Sequence, residues 1–261
     1  MRHLKVSEDA SRFPTMRYYK PMNIESIAVL VVATFAGVVA SISGFGIGSL
    51  LTPLFALRMD FQLAVAAVSI PHLIATAYRF ILIRKDLNKA IFIKFGIWSA
   101  LGGLLGSLIG VVVQHKVLAL TLSILLIFTG LTGVLGLAEK MRFAQKFGWL
   151  AGLSSGIFGG LVGNQGGIRS AALLGFDLSK TEFVATTTAI GLVVDAARMP
   201  IYFSQRASDM AAIWSSISVA IAGVVIGTWL GKKILNKIPE RIFKRVVCAI
   251  ILLLGIGLLL R

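Results

Sequence analysis

Long uncharged apolar runs, separated by short polar stretches, make up almost the whole chain. They extend over Ser26–Leu57, Phe61–Tyr78, Phe95–His115, Val117–Ala138, Phe147–Ile168, Met210–Gly231 and Val246–Leu260. An eighth, Phe183–Phe203, is interrupted by Asp195 and Arg198. A helix needs about 20 apolar residues to cross the hydrocarbon layer. The pattern therefore predicts an all-α, polytopic membrane protein of about eight transmembrane helices with short loops. The runs are continuous rather than alternating, which argues against a β-barrel.

Composition agrees. The 261 residues are 57% hydrophobic and 14% charged, against about 45–50% and 25% in soluble domains. A soluble enzyme, a disordered tail and a disulfide scaffold are excluded. The net charge of +15 resembles that of a nucleic-acid binder, but most of the 26 Lys and Arg lie between apolar runs. There they act as topology signals, so the expected partner is the lipid bilayer and not a nucleic acid. Cys248 is the sole cysteine, so no intrachain disulfide or cysteine metal cluster can form. No metal or other cofactor is expected.

Residues 1–22 form a polar tail, and the first apolar run lacks the small-residue end of a cleaved signal peptide. With eight simple crossings, one side holds the tail, Arg84-Lys85-Asp86-Leu87-Asn88-Lys89, Lys140/Arg142/Lys146 and Arg206. The other holds Arg58, Lys116, Lys180 and Lys232–Arg245. The totals favour a cytoplasmic N-terminus, while the six basic residues of Lys232–Arg245 oppose it. A multi-pass protein of the cell (inner) membrane is expected.

Two halves, 23–139 and 140–261, resemble each other. A shift of 117 residues lays Gly46 on Gly163 and Asp60 on Asp177. The third span carries Gly102-x3-Gly106-x3-Gly110 and the seventh Gly223-x3-Gly227-x3-Gly231. Small residues at every fourth position let helix backbones approach closely in lipid. The expected architecture is thus two repeated four-helix halves. Ser26–Leu57 would be about 48 Å long as one helix, longer than the bilayer is thick. Gly44-Phe45-Gly46-Ile47-Gly48 interrupts it, with Pro53 beyond. Gly159-Gly160-Leu161-Val162-Gly163-Asn164-Gln165-Gly166-Gly167 sits at the corresponding place in the second half. Paired Gly/Pro-interrupted segments point to a transporter's substrate site; close packing of unbroken, tilted helices is the alternative. If these segments re-enter rather than cross, each half has three crossings and the repeats are inverted.

These residues resemble the TauE/SafE family of membrane permeases. The resemblance rests on Ser43–Gly48, Thr52-Pro53-Leu54, Asp60 and Ala64–Ser69 in the first half. In the second it rests on Gly156–Gly167, Arg169-Ser170, Gly175-Phe176-Asp177 and Ala185-Thr186-Thr187. It covers about residues 26–260. The second-half proline is replaced by Ser170, and the glycine triplet reads Gln165-Gly166-Gly167 there. The resemblance implies export of sulfite or movement of related sulfur compounds.

Candidate substrate contacts are Ser43, Gly44, Gly46, Gly48, Thr52, Gly163, Asn164, Gln165, Gly166, Gly167, Arg169 and Ser170. Arg169 ends a 22-residue uncharged run and offers a fork of donors suited to oxyanions. It either faces a cavity or snorkels to lipid phosphates. Side-chain amides of Asn164 and Gln165 can donate, and half-helix N-termini attract anions. Hydroxyls of Ser43, Thr52 and Ser170 serve either the substrate or their own helix. Asp195 and Arg198, spaced i, i+3, can pair on one helical face. Alternatively Asp195 couples protons and Arg198 contacts the anion. Arg79, four residues or so from a span's end, is expected to snorkel; His72 is expected to be a neutral packing residue or a protonatable anion contact. Lys94 and Trp98, Trp149, Trp214 and Trp229 fall near span ends, as interface anchors do.

The expected function is a secondary permease for small anions by alternating access, with sulfite or another sulfur oxyanion or organosulfonate as substrate. Export needs no coupling ion in a cell that is negative inside, whereas uptake needs a proton or sodium. A passive channel or a cation-coupled carrier of another solute is the alternative. Enzymatic activity is not expected: His3, His72 and His115 form no HExxH pair, and no nucleophile–base constellation stands out.

Overall fold

The structure, a computed structural model, describes residues 24–137, 147–173, 176, 178–234 and 240–260. The tail, Lys140/Arg142/Lys146, Gly175, Asp177 and the centre of Lys232–Arg245 lie outside the described residues, as does the junction between the expected halves.

All regular elements among the described residues are helices. The first apolar run divides into α1, Ile24–Ser43, and α2, Ile47–Ala56. Then follow α3, Phe61–Ile83, a short α4, Lys89–Ile91, and α5, Ile97–Val112, joined to α4 by a π turn at Phe92–Gly96. α6 spans His115–Val134. The fifth run divides into α7, Gly148–Val162, and α8, Gly166–Leu173. α9, Lys180–Ala212, α10, Trp214–Ile234, and α11, Glu240–Leu259, complete the fold. By length and apolarity, six helices can cross a membrane: 24–43, 61–86, 89–112, 115–134, 181–212 and 214–233. The eight spans counted in the sequence exceed these six by two, because α7 and the apolar part of α11 are shorter.

Capping sets the helix starts. Asp60 accepts from the Leu63 N–H at 2.9 Å, and Asn88 accepts from the Ile91 N–H at 3.1 Å. Ser179 and Glu182 form a capping box ahead of α9. Each satisfies donors that a helix start leaves without an internal partner.

Both divided runs fold back on themselves. Arg58, beyond α2, pairs with Glu25 in the first turn of α1. Phe176, beyond α8, packs against Gly148, the first residue of α7. Glycine makes both turns, because Gly44, Gly46 and Gly163 have φ of 80°, 127° and 73°, values that side chains with a Cβ resist. The second limbs open at Ile47 and Gly166, 119 residues apart.

The glycine ladders are packing faces. Gly102 and Gly106 of α5 lie on α7 so closely that an added Cβ would collide with the Leu153 and Ile157 carbonyls. Gly223 and Gly227 of α10 lie likewise on Leu30, Ala33 and Thr34 of α1. The first helix of each expected half therefore packs on the third helix of the other. Between them, α3 and α9 run antiparallel, with Ser69 against Met199, His72 against Asp195 and Arg79 against Thr188. Large apolar side chains such as Leu101, Leu105, Leu108, Ile124 and Phe128 point outward, as a lipid-facing surface requires.

Candidate functional site

Two interruptions of helical backbone meet inside the molecule. The start of α2 touches the end of α7, since a Cβ on Gly48 would collide with the Gly163 carbonyl oxygen. Ser49 donates to Asn164 Oδ1 at 3.2 Å across the same junction. At the start of α8, a Cβ on Gly166 would strike Phe45 and one on Gly167 would strike Thr129. Helix N-termini present bare N–H groups and a positive dipole end. Here the N-termini of α2 and α8 are both buried at this junction.

Several polar side-chain atoms are buried here without partners. Asn164 is 5% exposed, Gln165 3% and Arg169 2%. Buried with no hydrogen bond are Asn164 Nδ2, Gln165 Nε2 and Oε1, Arg169 Nε and Nη1, Thr52 Oγ1 and Ser170 Oγ. Each such group costs about 1–3 kcal/mol, and more when charged. Most of these atoms are donors, so the feature is a concentration of unmatched donor capacity in the dry interior. At 2% exposure Arg169 does not snorkel. Ser43 is spent locally, donating to the Val39 and Phe45 carbonyls at 2.8 and 2.9 Å. Gly44 stands against Thr187 of α9, where a Cβ would lie 2.8 Å from its hydroxyl.

A second polar group lies on the facing sides of α3 and α9. Arg198 donates Nε and Nη2 to Asp195 Oδ1 at 3.1 and 2.7 Å, and Nη1 to the Gly159 carbonyl at 2.6 Å. Its neighbour Tyr202 donates to the Gly160 carbonyl at 2.6 Å. The other Asp195 oxygen meets His72 Nδ1. Each of the three Arg198 nitrogens is therefore engaged, binding the negative end of α7 and offsetting Asp195. Arg79 departs from expectation: it is 5% exposed, and its Nε donates to Thr188 Oγ1 at 3.0 Å while Nη1 has no partner. Its side chain turns inward because α9 supplies a buried hydroxyl one helix away, which the position of Arg79 near a span end does not reveal.

A cavity of about 130 Å³ opens beside this junction, lined by Gln62, Val65, Gly160, Tyr202, Gln205 and Arg206 among others. Val65 also neighbours Gly163. At its edge, Arg206 binds Asp60 through both terminal nitrogens and Asp209 through Nε. His115 lies 3.9 Å from Asp60. Burial raises the Asp60 carboxyl, but the Arg206 and Leu63 hydrogen bonds and the Arg206 and His115 charges outweigh it and hold Asp60 below its ordinary value. α9 bends at Arg206, whose φ of −134° and ψ of 18° leave the helical region.

Of the residues singled out in the sequence, the structure brings together Gly48, Thr52, Gly163, Asn164, Gln165, Gly166, Gly167 and Arg169 around the junction. His72, Asp195 and Arg198 form an adjoining hydrogen-bonded group, tied to the junction by Arg198 Nη1 on the Gly159 carbonyl. Sequence reasoning missed Ser49 and Thr188, which carry no signal beyond a hydroxyl in an apolar run. The letters Gly152-Leu153-Ser154-Ser155-Gly156 also match the nucleophile-elbow pattern. They lie within the continuous helix α7, whereas that elbow requires a sharp strand-to-helix turn. Among the described residues, no group of three or more His, Cys, Asp or Glu could hold a metal.

A family model described as Sulfite exporter TauE/SafE matches residues 29–258. No curated protein and no solved structure matches the chain.

Proposed function

The chain belongs to the sulfite exporter TauE/SafE family, and from that premise we propose that it is a secondary permease for small anions. The family is one of membrane transporters, which agrees with the multiple apolar helices. We read sulfite, or a related sulfur oxyanion or organosulfonate, as the substrate and the inner cell membrane as its location. The observation that carries the anion reading is the set of buried, unpartnered donors of Asn164, Gln165 and Arg169 at the meeting of two helix N-termini. A negatively charged oxygen cluster is the ligand that would satisfy them.

In this reading α1–α2 and α7–α8 are hairpins entering from opposite faces. Glu25, Arg58, Asp60, His115 and Arg206 mark one face. The other is marked by Asn88, whose N–H donates to Thr186 near the start of α9. α3, α5, α6, α9, α10 and α11 then cross, three per half, and the repeats are inverted. Two inverted halves around a shared central site are the usual frame for alternating access. Export is the simpler direction: moving a dianion out across 100 mV, negative inside, gains about 4.6 kcal/mol, at about 2.3 kcal/mol per charge.

The test is flux into liposomes of purified protein for sulfite, thiosulfate, sulfate and a sulfonate, repeated with Arg169→Ala. Saturable flux of at least one of these anions, lost in the variant, supports the proposal. Single-channel conductance would replace the carrier by a channel. Anion flux equal to that of the wild type in Arg169→Ala would remove the site.

A further inference from the structure

We propose that Arg79 is the second guanidinium of a two-charge oxyanion site shared with Arg169, so that the solute carried is a dianion. This rests on the permease reading above. The argument starts from charge balance. The buried charged side chains among the described residues are Arg79, Arg169, Arg198 and Asp195, with His72 beside them. Asp195 is already matched by two Arg198 hydrogen bonds and by His72. Arg79 and Arg169 are left with no carboxylate partner, each with unpartnered N–H groups in the interior.

The two approach one patch of α9. Arg79 is held by Thr188 at 3.0 Å. Arg169 stands over Gly191, one helical turn further on, where a Cβ would lie 3.3 and 3.6 Å from its Nη1 and Nη2 and 3.6 Å from the Thr76 methyl. Thr76 is in turn one helical turn from Arg79 on α3. Glycine at 191 thus leaves the room that the guanidinium fills. Two like charges brought close in a medium of low dielectric repel, and Asp195, the one buried carboxylate among the described residues that acts on both, is already bonded to Arg198 and His72. A ligand bearing two negative charges supplies what both lack, and each planar fork can grip two of its oxygens. A monoanion would leave one guanidinium uncompensated.

Sulfate and methanesulfonate separate charge from shape, because both are tetrahedral around sulfur and differ by one charge. Binding is read in detergent from intrinsic tryptophan fluorescence, and transport in liposomes. The wild type should hold sulfate and thiosulfate about tenfold or more tighter than methanesulfonate. Arg79→Gln should abolish that preference, weakening sulfate and thiosulfate about tenfold or more beyond any loss of methanesulfonate binding. Thr188→Val, which releases Arg79 from its position, should weaken dianion binding severalfold and methanesulfonate not at all. Arg79→Lys, keeping the charge but not the fork, should retain part of the preference, and with Thr188→Val it carries the test if Arg79→Gln does not fold. An unchanged dianion preference in Arg79→Gln, or in Thr188→Val and Arg79→Lys, overturns the inference. So does a wild type that binds or moves both anion classes equally, though that leaves the permease reading intact. A wild type that binds dianions selectively but moves none supports the two-charge site and overturns transport.

Discussion

Arg198 Nη1 donates to the Gly159 carbonyl at 2.6 Å while its other two nitrogens hold Asp195. One side chain thus fastens α9 to the last turn of α7, immediately before the backbone turns at Gly163. The contact joins a cation to the negative end of a helix and matches a buried carboxylate at the same time.

The first prediction follows from that assignment. Removing Arg198 leaves Asp195 with His72 alone and takes the Gly159 carbonyl's side-chain donor away. Breaking a buried pair from one side costs about 3–5 kcal/mol. Arg198→Met should therefore lower the thermal midpoint of the detergent-solubilised protein by more than about 5 °C. Asp195→Asn should do the same. A midpoint within 1 °C or so of the wild type in both variants would show that the pair carries no structural load.

Arg169 is expected to behave in the opposite way. Its Nε and Nη1 are buried without partners, so the folded protein is strained by holding it there. Arg169→Gln should leave the midpoint unchanged or raise it, while anion flux falls by about 100-fold or more, the scale on which loss of a buried charged contact acts. Such a trade between stability and activity marks a functional position. A variant that loses both stability and flux would instead make Arg169 a structural residue.

The contrast between these arginines also shows what the sequence could and could not reveal. Charged residues inside apolar runs single out Arg169, Asp195 and Arg198, and the i, i+3 spacing already allows the Asp195–Arg198 pair. The glycine clusters mark where helices are interrupted, because positive φ at Gly44 and Gly163 is a local requirement. What stays hidden is partnership between distant segments. Arg79 looks like an interface anchor until Thr188, 109 residues away, is found beside it. The sequence shows two glycine ladders, but that each packs on the first helix of the other half depends on how the chain returns, which no short-range pattern encodes.

Those ladders provide a graded test of packing. A Cβ on Gly106 or Gly227 would collide with a backbone carbonyl of the facing helix, Ile157 or Thr34, whereas one on Gly110 would make ordinary contact at 3.6 Å with Leu161. Gly106→Ala and Gly227→Ala should each cost about 1–3 kcal/mol, because the facing backbone cannot yield without moving a whole helix. Gly110→Ala should be neutral. Thermal midpoints of the three variants, measured side by side, check the order. Equal effects at all three positions would mean that helix propensity, not the close approach, governs them.

Acid should loosen the cluster at the cavity edge. The Asp60 carboxyl is held below its ordinary value in the folded protein, so its contribution is present above the unfolded-state value and is lost as pH falls through the folded one. Stability should decline below about pH 4, the ordinary carboxylate range. Asp60→Asn isolates the charge, because asparagine caps a helix as well as aspartate does. Its midpoint should lie below that of the wild type at pH 7 and converge with it as pH approaches 3 or so. Asp60→Ala loses the cap as well, adding about 1 kcal/mol of destabilisation at all pH values. Curves for wild type and Asp60→Asn that stay parallel down to acid pH would contradict the assignment.

The hairpin reading stands or falls on the side of the membrane at which α10 ends. If α1–α2 and α7–α8 return to the face they enter, Lys85 and Lys232 share one face and Lys116 lies on the other. If all eight runs cross, Lys232 shares a face with Lys116 instead. Exposed positions 85, 116 and 232 can be converted to cysteine one at a time, after Cys248, buried against Gly133, is replaced by alanine. A membrane-impermeant maleimide applied to intact cells and then to permeabilised ones reads the faces directly. Matching labelling at 85 and 232, opposite to 116, is the expected result. It also orients the protein. Arg84, Lys85, Lys89, Lys232 and Lys233 would then share a face with the sequence segments that hold Lys140, Arg142, Lys146 and Lys237, against Arg58, Lys116 and Arg206 opposite. The basic tail before α1 pulls the other way, but the loop excess makes the 85/232 face cytoplasmic by the positive-inside rule. Labelling of position 85 in intact cells would reverse that orientation, and matching labels at 116 and 232 would return the fold to eight crossings.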